Sequence, residues 1–117
     1  HHPKNLDVSM LKRACNLYVG TYDFASFAVN RGDGKEINTE RTIFSVKVSS
    51  VQHSLTISFN GNGFLYKMVR LLVGAAVRVA EGKEDINWIE GMLQNPGQLK
   101  CQHCAKPDGL YLVEVRY

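Results

Sequence analysis

The sequence is poor in cysteine and has no long apolar run, and each shortage excludes a class of protein. Its three cysteines, Cys15, Cys101 and Cys104, are few and odd in number, which argues against a disulfide framework. We therefore expect free thiols and an intracellular, reducing compartment. The longest apolar stretch, residues 68–80, is interrupted by two arginines and is shorter than the roughly 20 apolar residues of a membrane helix. We expect no membrane contact.

The excess of one sign of charge is also small. The formal net charge is +3, from 14 Lys and Arg against 11 Asp and Glu. This mild excess permits a polyanionic partner but does not by itself require one. A chain of 117 residues that is 44% hydrophobic is large enough to bury one core and too small for two ordinary domains. We expect a single domain.

Hydrophobic periodicity predicts the element order helix, strand, hairpin, helix, helix, strand. Apolar residues recur at helical spacing over 6–18 and 64–80. The second of these helices is apolar around most of its circumference and should be the central buried one. The runs 41–51 and 55–59 alternate in polarity and predict an antiparallel hairpin, and a final strand follows Gly109. The fold class is α+β, with a mostly antiparallel sheet and helices packed on one of its faces.

Capping residues mark the helix boundaries. Asp7 or Asn5 can cap the first helix and Asp85 the third. Gly82 can end the second helix, and residues 95–97, Asn-Pro-Gly, can end the third.

The alternation in the run 41–51 also predicts which residues share a face of the sheet. One face receives Phe44, Val46, Val48 and Ser50, and the other receives Ile43, Ser45, Lys47 and Ser49. We expect Phe44 to be a core residue, together with Phe59 of the neighbouring run 55–59.

The pair Cys101 and Cys104 is separated by two residues, which is half of a common zinc-site pattern. The sequence has no second pair at a matching spacing. It also has no buried strand before Cys101, as a thioredoxin-like redox motif would require. We therefore expect no metal site here.

A polar stripe runs down the otherwise apolar second helix. Lys67, Arg70, Gly74, Arg78 and Glu81 follow one another at spacings of three or four residues, so they lie on one side of the helix. From periodicity alone this is a solvated helix side. An arginine in apolar company can instead serve a buried carboxylate.

Four segments together resemble one enzyme family. They are residues 59–70, which end in Phe-Leu-Tyr-Lys-Met-Val-Arg, the dipeptide Asp23-Phe24, the tripeptide Arg41-Thr42-Ile43, and residues 109–115, Gly-Leu-Tyr-Leu-Val-Glu-Val. In this order they are similar to the C-terminal half of the catalytic domain of a TruA-type tRNA pseudouridine synthase. The resemblance extends over about 6–117, so it implies that residues 1–117 form that subdomain.

The resemblance implies roles for particular residues. Arg70 would pair with the nucleophilic aspartate of the family, and Leu65 would pack on the target uracil. The family carries that aspartate in an Arg-Thr-Asp-x-Gly motif, whereas here Arg41-Thr42 is followed by Ile43. The nucleophile would therefore come from an N-terminal half that is not in this chain, and the chain alone should be inactive.

Further residues would border the substrate cleft by the same resemblance. Tyr22 stands where the family usually has histidine, and a tyrosine can stack on a nucleotide. The basic residues Arg41, Lys67 and Arg78 would meet phosphates, and Leu110 would open the last strand beside the cleft. Asp23 is more consistent with a turn than with catalysis.

The implied activity is the isomerisation of uridine in tRNA to pseudouridine, with no cofactor. The implied partners are tRNA, the N-terminal half of the same enzyme and, as a further expectation, a second copy in a homodimer. Two alternatives stay open from the residues themselves. A non-catalytic RNA-binding module would show exposed aromatics such as Phe44, Phe59 and Tyr111 on the sheet. A protein-interaction or assembly domain would show an apolar exposed face.

Overall fold

The computed structural model describes residues 6–28, 38–51, 54–65, 67–96, 101 and 111–116. Within them the chain forms three α-helices, four strands and one short 3₁₀ turn. In chain order these are α1 (Val8–Asn16), β1 (Gly20–Asp23), the 3₁₀ turn (Ala25–Phe27), β2 (Glu40–Val51), β3 (Ser54–Gly61), α2 (Met68–Ala80), α3 (Ile86–Gln94) and β4 (Tyr111–Arg116).

The four strands form one sheet in the order β1-β2-β3-β4. The first three are antiparallel neighbours, and β4 lies parallel to β3. Parallel neighbours need a long crossover connection, and α2 and α3 lie in the connection between β3 and β4. The predicted α+β fold with a mostly antiparallel sheet is confirmed.

A β-bulge in β2 changes which residues face the core. Ile43 pairs with Gly61, but the next pair is Ser45 with Asn60, so Phe44 is the extra residue. As a result Ile43 is buried and Phe44 is 57% exposed. The predicted faces were wrong for these two residues, because a strict period of two does not continue through a bulge.

The core lies between the helices and one face of the sheet. Leu55, Ile57 and Phe59 of β3 are fully buried there, together with most of α2. Tyr18, just after α1, donates its hydroxyl proton to the backbone carbonyl of Leu72 at 2.8 Å. The central position predicted for the second helix is therefore confirmed, with α1 and the sheet packed around it.

The predicted helix boundaries are largely confirmed. The carboxylate of Asp7 accepts a hydrogen bond from the backbone N–H of Met10 at 3.1 Å, and Asp85 accepts one from Asn87 at 2.9 Å. The exception is the start of α2, which begins at Met68 rather than at position 64. No helix within the described residues is both long enough and apolar enough to cross a bilayer.

Candidate active site

The candidate site lies at one end of the sheet, where β1 and β3 end and β2 begins. Because these strands are antiparallel, Asp23 at the end of β1 pairs with Glu40 at the start of β2, and Gly61 at the end of β3 pairs with Ile43. The chain then crosses from Gly61 to the start of α2. We call residues 62–67 the connecting loop.

The connecting loop is held against β2 by a close approach and two hydrogen bonds. A Cβ atom at position 61 would lie 2.7 Å from the carbonyl oxygen of Thr42, so only glycine fits there. The backbone N–H of Asn62 donates to that same Thr42 oxygen at 3.0 Å. In return the N–H of Thr42 donates to Oδ1 of Asn62 at 2.9 Å.

Leu65 lies near the end of this loop and is 7% exposed. Its backbone N–H contacts the sulfur of Met68 at 3.4 Å, and its carbonyl oxygen accepts from the N–H of Met68 at 3.0 Å. The side chain therefore belongs to the rim of the core, and only a small part of it reaches the surface. Its predicted contact with uracil stays a prediction.

Lys67 and Arg70 stand at the N-terminal end of α2. Lys67 is exposed and has a left-handed backbone, with φ 60° and ψ 7°, and its side chain does not cap the helix. Arg70 lies in the first turn and is half-buried. The first turn contains no acidic residue, so the helix dipole and the guanidinium both favour an anion at this end. The arrangement fits the predicted pairing of Arg70 with a carboxylate.

Tyr22 and Arg41 lie at the same end of the sheet, as cross-strand partners on β1 and β2. The ring of Tyr22 packs edge-on against Phe24, with centroids 5.9 Å apart. Arg41 donates through one terminal nitrogen to the carbonyl oxygens of Asn38 and Glu40, each at 2.7 Å. A Cβ atom at Gly63 would lie 3.6 Å from its Nε. The structure therefore brings Tyr22 and Arg41 to the sheet end that carries the connecting loop.

Asp23 is a turn residue, as predicted. Its carboxylate accepts hydrogen bonds from the backbone N–H of Ala25 and from the hydroxyl of Thr39. These contacts hold the 3₁₀ turn against the residue before β2.

One predicted site residue that the structure describes, Arg78, is not brought into this group. Arg78 lies two turns further along α2, about 12 Å from Arg70 along the helix axis at 1.5 Å per residue, and faces Glu84 at 3.7 Å. Leu110 lies outside the described residues. The cleft-lining role of each stays a prediction.

The cysteines that the structure describes are buried. Cys15 is 1% exposed and burial raises the pKa of its thiol to about 12, so it stays protonated at neutral pH. Cys101 is 6% exposed, and its sulfur lies 3.6 Å from the carbonyl oxygen of Leu71. Cys104 lies outside the described residues. Among the residues that are described, no three or more His, Cys, Asp and Glu side chains form a group that could hold a metal ion.

Sequence reasoning missed two features. It assigned no role to Asn62, although the alternation of asparagine and glycine over 60–63 was visible. It also missed a concavity of about 350 Å³ between α1 and β2, lined by Lys12, Arg13, Asn16, Val46 and Val48. The two cations in that lining fit an anionic partner.

The fold and the site together define an α+β unit that presents a half-buried arginine, a partly accessible leucine and several cations at one sheet end. Comparison with known proteins identifies this unit. The family model described as tRNA pseudouridine synthase matches residues 14–117. Because this match covers most of the sequence, the chain belongs to the tRNA pseudouridine synthase family.

Curated relatives agree with this assignment. The chain is 39% identical over 122 residues to tRNA pseudouridine synthase A of Akkermansia muciniphila and 37% identical over 119 residues to tRNA pseudouridine synthase A 1 of Protochlamydia amoebophila. It is 32% identical over 117 residues to the Finegoldia magna tRNA pseudouridine synthase A. Each match covers all of this chain but only 46% or 47% of the relative. The chain therefore spans about half the length of these relatives.

Proposed function

We propose that the full-length protein containing this chain isomerises uridine in tRNA to pseudouridine, and that this chain supplies one half of the catalytic domain. The observation that carries the proposal is the family match over residues 14–117, together with the position of Arg70 in the first turn of α2. In this reaction the bond between ribose C1′ and uracil N1 breaks and a bond between C1′ and C5 forms. The hydrogen on C5 leaves and N1 gains a proton, so the composition of the RNA is unchanged.

In this proposal Arg70 pairs with a nucleophilic aspartate from the other half of the domain. Burial raises the pKa of a carboxyl group, and a fixed guanidinium opposes that rise and keeps the group ionised. Arginine suits this task better than lysine, because its planar fork can hold both carboxylate oxygens. The half-buried position of Arg70 beside the helix N-terminus supports this role.

Leu65 supplies an apolar contact for a uracil that has left its stack. It stands five residues before Arg70, at the junction of the connecting loop and α2. The small exposed fraction of its side chain is consistent with a surface that becomes covered when the base arrives.

Cations near the site would hold the tRNA backbone. Lys67 is exposed at the start of α2, and Arg41 lies close to Gly63 in the connecting loop. Phosphate contacts of this kind position RNA without reading its sequence. Tyr22, the cross-strand partner of Arg41, is placed to contact a nucleotide at the same edge.

The alternative of a sheet that stacks bases finds less support. Phe59, one of its three candidate aromatics, is fully buried. Among the described residues Phe44 is the large apolar side chain that is exposed, and one ring does not make a stacking platform. The side chain of Tyr111 lies outside the description.

The test compares the full-length protein with residues 1–117 alone on tRNA that carries tritium at C5 of uridine. The full-length protein should release tritium, because the C5 hydrogen leaves during the isomerisation. Residues 1–117 should release none, because the sequence has no counterpart of the family's catalytic aspartate. Turnover by residues 1–117 would contradict the division of roles, and an inactive full-length protein would contradict the proposed function.

Two further predictions concern assembly and location. Light scattering of the full-length protein would show whether it forms the expected homodimer. Fractionation of the source cells would show whether the protein occupies the reducing compartment that its cysteine content predicts.

A further inference from the structure

We propose that Asn62 is a positioning residue of the candidate site. It fixes the connecting loop, and through it Leu65, by a two-point hydrogen-bonded clamp on Thr42. The catalytic part of this inference rests on the proposed function, whereas the positional part does not.

The clamp begins where the regular sheet ends. The ladder between β2 and β3 finishes at the pair of Ile43 and Gly61. Beyond it the two strands would normally separate and leave the backbone groups of Thr42 to solvent. Instead, Asn62 serves both groups, donating to the Thr42 oxygen at 3.0 Å and accepting from the Thr42 N–H at 2.9 Å.

The clamp is also anchored to a third strand. The hydroxyl of Thr42 lies 2.8 Å from the hydroxyl of Thr21 on β1, within hydrogen-bonding distance. Thr21 and Thr42 are cross-strand partners in the ladder between β1 and β2. Asn62 therefore fixes the loop to the sheet as a whole rather than to one strand.

The two glycines that flank Asn62 have no side chains to restrain the chain at this point. Gly61 and Gly63 flank it, and Gly63 has φ +150°, a conformation that glycine adopts at no steric cost. At the far end of the loop, Lys67 has a left-handed backbone. Glycine on both sides of Asn62 gives the backbone there wide conformational freedom, so the hydrogen bonds of Asn62 fix the start of the loop, whereas the ring of Phe64, packed edge-on against Phe59 at 6.3 Å, holds its middle.

The consequence falls mainly on Leu65. It follows Asn62 by three residues and has only 7% of its surface exposed. A shift of the loop would either withdraw this side chain into the core or push it outward. A displacement of about 1 Å in a positioning group can cost on the order of 100-fold in rate.

The chain offers matched variants for a test. Asn62→Ala removes the side-chain acceptor, whereas Asn62→Asp keeps an oxygen that can accept from Thr42. Asn60→Ala is the control, because Asn60 is an exposed asparagine on β3 that points to the opposite side of the sheet from Phe59.

The first readout is structural and uses the full-length protein without RNA. In Asn62→Ala, the amide of Thr42 should exchange its hydrogen at least about 10-fold faster, and the methyl resonances of Leu65 should shift. In Asn62→Asp and Asn60→Ala, the Thr42 exchange rate and the Leu65 methyl resonances should stay close to those of the wild type. Unchanged Leu65 resonances in Asn62→Ala, despite faster Thr42 exchange, would overturn the inference.

The second readout is kinetic. Asn62→Ala should lower the single-turnover rate by about 10- to 100-fold while tRNA affinity changes less than threefold, and Asn62→Asp should recover most of that rate. A rate within twofold of wild type for Asn62→Ala, or a loss shared equally by Asn62→Asp, would overturn the positioning role. If the wild-type protein shows no isomerisation at all, the proposed function fails, and the structural readout alone decides the inference.

Discussion

The two ends of helix α2 are built in different ways. At the C-terminal end, the helix cap itself comes from residues nearby in the sequence, although the carbonyl oxygen of Ala80 also accepts from the backbone N–H of Asp7 at 3.0 Å. Gly82 is left-handed with φ +78°, and the N–H groups of Gly82 and Lys83 donate to the carbonyl oxygens of Val79 and Arg78 at 3.0 and 2.9 Å. This is a Schellman motif. The ion pair of Arg78 with Glu84 adds to it.

At the N-terminal end, the arrangement depends on residues distant in the sequence. No side chain of Lys67 caps the helix, and Lys67 itself is left-handed without being glycine. Such a backbone costs of order 1–3 kcal/mol. The loop before it is fixed by Thr42 of another strand. The C-terminal end therefore has a local cap built on a glycine, whereas the N-terminal end has a strained residue, Lys67, between Leu65 and Arg70.

The strongest test of this difference changes Arg70. In the full-length protein, Arg70→Ala should lower the rate of pseudouridine formation by at least about 100-fold, as expected for loss of a preorganised charge partner. Arg70→Lys should recover little, because lysine has no two-point geometry. Thermal melting should change by only a few degrees in both.

The control for that experiment is Lys83→Ala at the other end of α2, which should keep the wild-type rate. Normal turnover by Arg70→Ala would remove Arg70 from the site. A large drop in melting temperature would show instead that Arg70 serves the fold, and the two ends would then be alike.

The second prediction concerns the core under α2. Burial raises the pKa of the Cys15 thiol from 9.0 to about 12, so the folded state keeps a proton that the unfolded chain loses over this interval. Stability should therefore be full below pH 9 and fall as the pH rises toward 12. The slope should reach up to about 1.4 kcal/mol per pH unit for this group.

Urea unfolding of residues 1–117 between pH 7 and 11 measures that slope. Cys15→Ala should show a shallower decline above pH 9 than wild type. In Cys15→Ala, part of the loss of stability should persist above pH 10, because burial also raises the pKa of Tyr18. Identical slopes for the two proteins would mean that Cys15 is not buried in the neutral form.

A third prediction addresses the Schellman motif. Gly82→Ala should destabilise the protein by about 1 kcal/mol, the cost of a left-handed backbone for a residue with a Cβ atom. A Cβ atom at position 82 would meet nothing within 4 Å, so no clash contributes. Chemical denaturation measures the change.

The matched variant is Gly91→Ala within α3, where a Cβ atom would also meet nothing within 4 Å. It should stabilise by roughly 0.5–1 kcal/mol, because alanine is the better helix former. Equal effects of the two substitutions would contradict the role assigned to Gly82.

The smallest effect is expected for the ion pair beside the motif. The side chains of Arg78 and Glu84 are 28% and 34% exposed, and their charged atoms are 3.7 Å apart. A double-mutant cycle with Arg78→Ala and Glu84→Ala should give a coupling energy of at most about 0.5 kcal/mol. A coupling above about 1.5 kcal/mol would show that this end also contains a strong electrostatic contact.

Local signals in the sequence were sufficient for most of the scaffold. The caps at Asp7 and Asp85 and the helix end at Gly82 were predictable, because each satisfies backbone groups within a few residues of itself. The hairpin of β2 and β3 was predictable because alternation and a short connection act within one contiguous stretch. The family resemblance also pointed to Arg70 and Leu65 before any geometry was known.

The bulge could not be predicted in the same way. Ile43 and Phe44 are both apolar strand formers, and either could face the core. The choice depends on the register with β3, where Gly61 and Asn60 receive Ile43 and Ser45. The register depends on both strands, so the alternation of residues along one strand cannot predict it.

By itself, then, the sequence determined the order of the elements, most of their boundaries and the family to which the chain belongs. The tertiary structure alone decided that Phe44 turns outward and that Asn62 meets Thr42. The physical reason is the range of the interactions involved. Capping and periodicity act over three or four residues, whereas a strand register or a loop clamp joins residues about 20 positions apart, and their energies appear only once the chain has folded.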